Sequence, residues 1–209
     1  MLLLFNCFSG SFNLPNLTRL TLKSCPILGS LFSASTAETL TSLEELTIED
    51  CHGLKHIQIY GRAHTNKKEV IQDDHDFQSY VPFFPSLKKL SIMRCHLLEY
   101  VFSISFARGM RKLEIIEIRE APELRHVFGQ NIHSSQQYQS KFQIEFPVLE
   151  RVTLHSTPNM IGIFPENYSA TCSSLQLLVM NNIGLSTLSI NNLKVDLEAT
   201  HSDHSSKTV

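Results

Sequence analysis

Two cysteine–histidine pairs are the residues whose types and spacing could support chemistry. Cys51 is followed by His52, Cys95 is followed by His96, and His56 lies four residues beyond the first histidine. Thiolate and imidazole groups are common zinc ligands, and a cysteine beside a histidine can also act as a nucleophile that a base activates. The sequence therefore raises two chemical hypotheses, which are a metal site and a cysteine-dependent active site.

The positions of the cysteines within a repeated pattern argue against an active site. The stretches LTRLTLKSC, LEELTIEDC and LKKLSIMRC each end on a cysteine, at Cys25, Cys51 and Cys95. Three later stretches, LEIIEIREA, LERVTLHST and LQLLVMNNI, have other residues in that position: Ala121, Thr157 and Ile183. A position that accepts these types requires a small or apolar buried side chain, and a free cysteine fills it as a small hydrophobe. A nucleophile would instead be unique and paired with a base.

A metal site is disfavoured by geometry. The sequence contains no Cys-x2-Cys pair, and the inward direction of each repeat cysteine predicts that the following histidine turns away. The sequence also lacks the GxxxxGK[ST] phosphate loop and the GxGxxG, HExxH and GxSxG patterns. We therefore expect no catalytic residue, no metal and no cofactor.

The six stretches define a repeat of 26 residues with insertions. Their first leucines are separated by 26, 44, 26, 36 and 26 residues, so two intervals exceed the period by 18 and 10. Each unit reads L-x-x-L-x-L-x-x-C, and its centre alternates apolar and polar residues as a half-buried strand does. Apolar positions at steps of three follow, which predict a turn or a short 3₁₀ segment. One unit cannot bury its own apolar face, so the units must stack and their strands must form a parallel sheet.

The predicted fold is an α/β leucine-rich-repeat solenoid of about six repeats. We expect a curved parallel sheet on the concave side and loops or 3₁₀ turns on the convex side. The chain divides into an N-terminal segment (1–13), the solenoid (14–193) and a flexible tail (194–209). Two insertion loops, 60–82 and 129–145, account for the long intervals.

Composition and charge exclude several other classes of protein. The 209 residues carry a formal net charge of -2, which provides no basic surface for nucleic acid. No apolar run approaches the roughly 20 residues that a membrane-spanning helix needs. Five dispersed cysteines fit a reducing compartment better than a disulfide framework. We expect a cytoplasmic protein that binds neither nucleic acid nor membrane.

The outward positions of the strands form the candidate site for a protein partner. Neighbouring parallel strands lie about 4.8 Å apart, so equivalent positions form rows across the sheet. The candidate partner-binding residues are Arg19, Thr21, Lys23, Glu45, Thr47, Glu49, Lys89, Ser91, Met93, Glu117, Arg119, Arg151, Thr153 and His155. Opposite charges adjoin on the first strands, which fits either a self-neutralising ladder or a mixed-charge recognition surface. Apolar residues at Ile115, Leu177 and Val179 favour contact near the C-terminal end.

Several segments of the chain together resemble a known class of repeat. They are FPSLKKLSIMRCHLLEYVF, SLEELTIEDCHGLKHI and FPVLERVTL, with Phe-Pro entering a strand and Leu-x-x-Val-Phe closing a unit. Over roughly residues 14–190 the chain resembles the C-terminal leucine-rich repeats of plant intracellular nucleotide-binding immune receptors of the coiled-coil class. The resemblance implies a non-catalytic sensor that recognises pathogen effectors or guarded host proteins and holds a nucleotide-binding domain inactive. The coiled-coil segment and phosphate loop of those receptors do not occur in this sequence, so we expect a fragment or truncated relative of the sensor region.

Two other interpretations remain open from the sequence. The repeats could belong to an F-box-type ubiquitin-ligase adaptor, whose repeats also favour cysteine in this position. The Phe-Pro entries and the irregular insertions fit that class poorly, and no F-box precedes the repeats. An enzyme that uses Cys95 is the third interpretation, and the interchangeable cysteine position opposes it.

Overall fold

The structure is a computed structural model that describes residues 2–3, 13–32, 34–58, 83–129, 142–166, 168–184 and 190–191. The predicted insertion at 60–82 and the predicted tail at 194–209 lie outside the described residues. In chain order the elements are β1 (Leu2–Leu3), β2 (Arg19–Lys23), β3 (Ser30–Phe32), α1 (Ala34–Thr39), β4 (Glu45–Glu49), β5 (His56–Gln58), β6 (Lys89–Met93), β7 (Tyr100–Ser103), α2 (Ile104–Ala107), β8 (Ile115–Arg119), β9 (His126–Gly129), β10 (Phe142–Glu145), β11 (Arg151–Thr157), β12 (Tyr168–Thr171), β13 (Leu177–Ile183) and β14 (Ile190–Asn191).

One parallel sheet of seven strands dominates the described residues, and we call it the main sheet. Its strand order is β1-β2-β4-β6-β8-β11-β13. Six of these strands begin at the third residue of each predicted unit, and they pair in the register of the repeat. The predicted leucine-rich-repeat solenoid with a parallel sheet is therefore confirmed. Strand β1 was not expected, because the first residues carry no repeat pattern, yet Leu2 and Leu3 pair with Leu20 and Thr21.

The opposite side of the solenoid is built mainly from short parallel strands. β3 pairs with β5, β7 pairs with β9, and β10, β12 and β14 form a three-stranded sheet. The sequence predicted a turn or a short 3₁₀ segment after each strand, and among the described residues a turn occurs there. Single turns with an i to i+3 hydrogen bond do occur after the cysteine position, as from the Leu54 amide to the Cys51 carbonyl (3.1 Å). After each such turn the backbone extends, because its polar groups can pair with the next repeat.

Both ends of the predicted loop at 129–145 are strand in the structure. Gly129 ends β9, and residues 142–145 form β10, which pairs in parallel with β12. Only residues 130–141 of this insertion lie outside the described residues. The segment is polar in composition, so the sequence did not predict the short strand β10, which pairs with β12.

A row of phenylalanines runs through the core between the two sides. Ring centroids of successive members lie 5.5 to 6.2 Å apart, which is within the normal range for packed aromatic pairs. The row consists of Phe32, Phe84, Phe102, Phe128, Phe146 and Phe164. Phe84 and Phe146 come from the two Phe-Pro entries that follow the insertions, so they fill the core where the repeat spacing is interrupted.

Candidate protein-binding surface

The outward-facing side chains of the main sheet form three rows, and we call this surface the outer face. Within β2, β4, β6, β8 and β11 they alternate with buried leucine, isoleucine or valine residues, and within β13 they alternate with the partly buried Leu178 and Met180, because successive side chains point to opposite faces. The first row is Arg19, Glu45, Lys89, Ile115, Arg151 and Leu177. The second row is Thr21, Thr47, Ser91, Glu117, Thr153 and Val179. The third row is Lys23, Glu49, Met93, Arg119, His155 and Asn181.

All the residues that the sequence nominated as partner-binding lie on the outer face and are partly or fully exposed. The structure therefore brings them together on one surface. Whether they contact a partner stays a prediction. The sequence did not nominate Asn181 as partner-binding, although it ends the third row of the outer face on the last strand.

Ion pairs between neighbouring strands neutralise the first part of the outer face. Arg19 lies 3.4 Å from Glu45, and Lys23 lies 2.7 Å from Glu49. One residue before the strands, Lys88 makes the same kind of contact, to a Glu44 oxygen at 3.0 Å. Exposed pairs of this kind contribute about 0 to 1 kcal/mol each. On β2 and β4 the self-neutralising ladder is thus the observed arrangement.

A second feature recurs at or next to the end of six strands of the main sheet. The residue before the cysteine position adopts a left-handed backbone with φ between 53° and 57° in every unit: Ser24, Asp50, Arg94, Glu120, Ser156 and Asn182. This turn carries the backbone from the sheet into the core. Amides at these positions still donate to the next strand, as from Asp50 to the Met93 carbonyl at 3.0 Å. The repeat therefore holds non-glycine residues in a conformation that costs most residue types about 1 to 2 kcal/mol and that aspartate and asparagine tolerate better.

The later part of the outer face differs in charge and polarity. Glu117 accepts a hydrogen bond from Arg119 at 2.9 Å within the same strand. Arg151 stands between Ile115 and Leu177 in the first row, so both of its row neighbours are apolar. Leu177 and Val179 are 43% and 38% exposed. This end of the surface therefore presents apolar side chains around a cation.

The cysteines of the repeat are structural. Cys51 and Cys95 are fully buried, and Cys25 is 8% exposed. Each thiol donates to the carbonyl two residues earlier, with sulfur–oxygen distances of 3.5 Å to Lys23, 3.4 Å to Glu49 and 3.6 Å to Met93. The neighbouring Cys51 thiol and burial raise the pKa of Cys95, so its reactive thiolate is disfavoured.

The histidines beside the cysteines do not converge on them. His52 and His96 are exposed and stack on each other, with ring centroids 4.6 Å apart and planes 9° from parallel. His56 stacks on Tyr100 in the same manner, at 5.5 Å. Among the described residues no group of three or more histidine, cysteine, aspartate or glutamate side chains is arranged to hold a metal ion. These stacked rings were not anticipated, although their equivalent positions in successive repeats are the signal that could have revealed them.

Within the described part of the chain, no helix has both the length and the apolar character that crossing a membrane requires.

The register of the parallel strands, the buried apolar residues beneath them and the recurring left-handed turns define a leucine-rich-repeat protein. The family model of plant disease resistance protein RPS2-like leucine-rich repeats matches residues 5–52 and 54–195. The chain belongs to this family, which confirms the resemblance to plant disease resistance receptors. Repeats of this kind generally bind proteins and generally lack catalytic activity. Comparisons with curated proteins and with solved structures gave no match.

Proposed function

We propose that the chain is a non-catalytic protein-recognition solenoid that serves as the sensor and autoinhibitory repeats of a plant immune receptor. The observation that carries this proposal is the outer face, on which six strands in register present their side chains as one surface. Membership in the disease-resistance family supports the receptor context.

The outer face suits recognition because its backbone is rigid and its side chains vary. Five of the six strands of this surface are anchored by buried residues beneath it, such as Leu46 and Ile48 in β4. Binding on such a scaffold requires little ordering of the backbone, so less of the interaction free energy is lost on association. Variation between repeats at the exposed positions then sets the specificity.

The proposed partners are a pathogen effector, a guarded host protein or the nucleotide-binding domain of a receptor, all in the cytoplasm. In the receptor, the solenoid holds the nucleotide-binding domain inactive. An effector or host protein that binds the inactive and active arrangements with different affinities would shift the balance between them. The chain itself contributes binding and no chemical step.

A matched pair of charge variants tests this function. Thr47 and Thr153 lie in the second row of the outer face, and changing both to arginine adds two positive charges. Glu123→Arg changes the charge by the same amount at an exposed position in a turn away from this face. Proteins captured from plant cell extract by the wild-type chain are quantified by mass spectrometry and compared with those captured by each variant.

We expect at least one captured protein to be lost with the double threonine variant and retained with Glu123→Arg. Circular dichroism melting curves that match the wild type would show that both variants remain folded. If every captured protein is retained by the double variant, recognition does not use the outer face and the proposal fails.

A further inference from the structure

The outer face contains two regions with different charge arrangements. On β2 and β4 the charged residues are matched by opposite charges on adjacent strands, at distances of 3.4 Å for Arg19 and Glu45 and 2.7 Å for Lys23 and Glu49. On β8, β11 and β13 the first two rows hold a group that we call the Arg151 patch: Ile115, Arg151, Leu177 and Val179.

Arg151 is the cation at the centre of this patch. Among the described residues no carboxylate lies within 4.0 Å of its guanidinium. Glu117, the acidic residue of the second row on the neighbouring strand, is bonded to Arg119 at 2.9 Å. Ile115 and Leu177 flank Arg151 on both sides of the row. The arginine therefore combines an available charge with an apolar surround.

We infer that the Arg151 patch binds a polypeptide segment in which an aspartate or glutamate is flanked by apolar side chains. The inference rests on the proposed function and specifies the chemistry of its partner. A carboxylate can accept two parallel hydrogen bonds from one guanidinium, and the pair gains strength when its surround excludes water. Apolar side chains packed on Leu177 and Val179 would provide that exclusion.

The composition of the patch distinguishes this occupant from other anions. Phosphate-rich partners such as nucleic acids are bound by several cations that act together. Arg151 instead has apolar residues on both sides, and the chain has a formal net charge of -2. Arginine at the centre of a contact, surrounded by side chains that exclude water, is the arrangement found at hot spots of protein–protein interfaces.

A random dodecapeptide library displayed on phage is the probe that we would use against chain 1–209. We expect the enriched peptides to carry aspartate or glutamate within two positions of leucine, isoleucine, valine or phenylalanine. One enriched peptide is then labelled, and its affinity is measured by fluorescence anisotropy for the wild type, Arg151→Gln and Arg125→Gln. Arg125 is exposed and lies just before β9 on the opposite side of the solenoid, so Arg125→Gln makes the same chemical change away from the outer face and is the matched control.

Arg151→Gln should weaken binding of the peptide at least tenfold, and Arg125→Gln should weaken it less than twofold. Changing the peptide carboxylate to the amide should cause a similar loss in the wild type and little further loss in Arg151→Gln, because the two groups interact directly. The inference would be overturned if the two changes lowered the affinity independently of each other. It would also be overturned if the enriched peptides showed no preference for aspartate or glutamate, or if no peptide were enriched. Enriched peptides that lack an acid but are lost in the Thr47 and Thr153 double variant would leave the proposed function standing. Enriched peptides that no outer-face substitution affects would count against both.

Discussion

Arg94 donates two hydrogen bonds to Asp50 of the preceding repeat, from Nε to Oδ1 at 2.5 Å and from Nη2 to Oδ2 at 3.0 Å. Both residues adopt the left-handed backbone that ends a strand, with φ of 54° and 57°. The equivalence of their repeat positions is what sets them side by side. A two-point contact between planar groups is more specific than the single contacts of the other pairs between strands.

Asp50→Asn tests this contact through its pH dependence. The hydrogen bond from Arg94 lowers the pKa of Asp50 below its ordinary value of 3.8. A lowered pKa contributes stability above the unfolded-state pKa, and that contribution is lost as the pH falls through the folded-state pKa. We expect the variant to have a lower free energy of unfolding at neutral pH, with the difference shrinking below pH 3.8. Urea unfolding at a series of pH values measures it.

Asparagine is suited to this test because it tolerates the left-handed conformation, so the substitution removes charge without adding strain. Glu44→Gln, which breaks the single contact to Lys88, is the control and should have a smaller effect at neutral pH. A difference between wild type and Asp50→Asn that stays constant across the pH series would contradict the assignment.

The cysteine position predicts a graded response to substitution. Cys95→Ala should lower the free energy of unfolding by about 1 kcal/mol, because it leaves a small cavity in a fully buried site. Cys95→Asp should cost several times more, since it buries a carboxyl group in the core. Urea unfolding of both variants measures the difference. If Cys95→Ala prevents folding, the cysteine does more than fill space.

Phe128 joins the phenylalanine row across three repeats. Its ring centroid lies 6.2 Å from Phe102, 5.5 Å from Phe146 and 5.3 Å from Phe164. Phe128→Ala should lower the free energy of unfolding by about 3 to 5 kcal/mol, and Phe128→Leu should cost less because it retains more of the packed volume. Thermal melting by circular dichroism should show one lowered, broadened transition for the alanine variant. An unchanged melting temperature would show that the row does not couple the repeats.

The left-handed position at Glu120, with φ of 55°, should reverse the usual preference between valine and glycine. Glu120→Val should destabilise the protein by about 1 to 3 kcal/mol, whereas Glu120→Gly should be nearly neutral because glycine adopts this backbone without strain. At Glu117, which lies in β8, the same two substitutions should rank in the opposite order, since valine favours strands. Equal rankings at the two sites, measured by urea unfolding, would rule out strain at Glu120.

The main sheet and its outer face could be predicted because the residues of each repeat show the strand pattern within a few positions of one another. In units such as the one around Leu90 and Ile92, buried residues alternate with exposed ones, and this period specifies both the strand and the face. The short strands on the opposite side carry no such signal. β3 and β5 contain three residues each, and their hydrogen bonds are made to other repeats.

The contact between Arg94 and Asp50 was not predicted from the sequence, for a related reason. Both residues come directly after a five-residue strand and have a positive φ. The alternation of inward and outward side chains along a strand therefore does not predict where their side chains point. The apolar character around Arg151 was visible from the row assignments. That none of the described carboxylates lies within ion-pairing distance of Arg151 could be learned only from coordinates, because the reach of the side chains decides it.

Deuterium exchange on chain 1–209, with and without a protein whose capture depends on Thr47 and Thr153, tests recognition by the outer face most directly. Binding should slow exchange in the main sheet, with the largest effect in peptides that cover β8 and β11. Exchange in β9 and in the turn around Glu123 should stay unchanged. Slowed exchange confined to the opposite side would contradict recognition through the outer face.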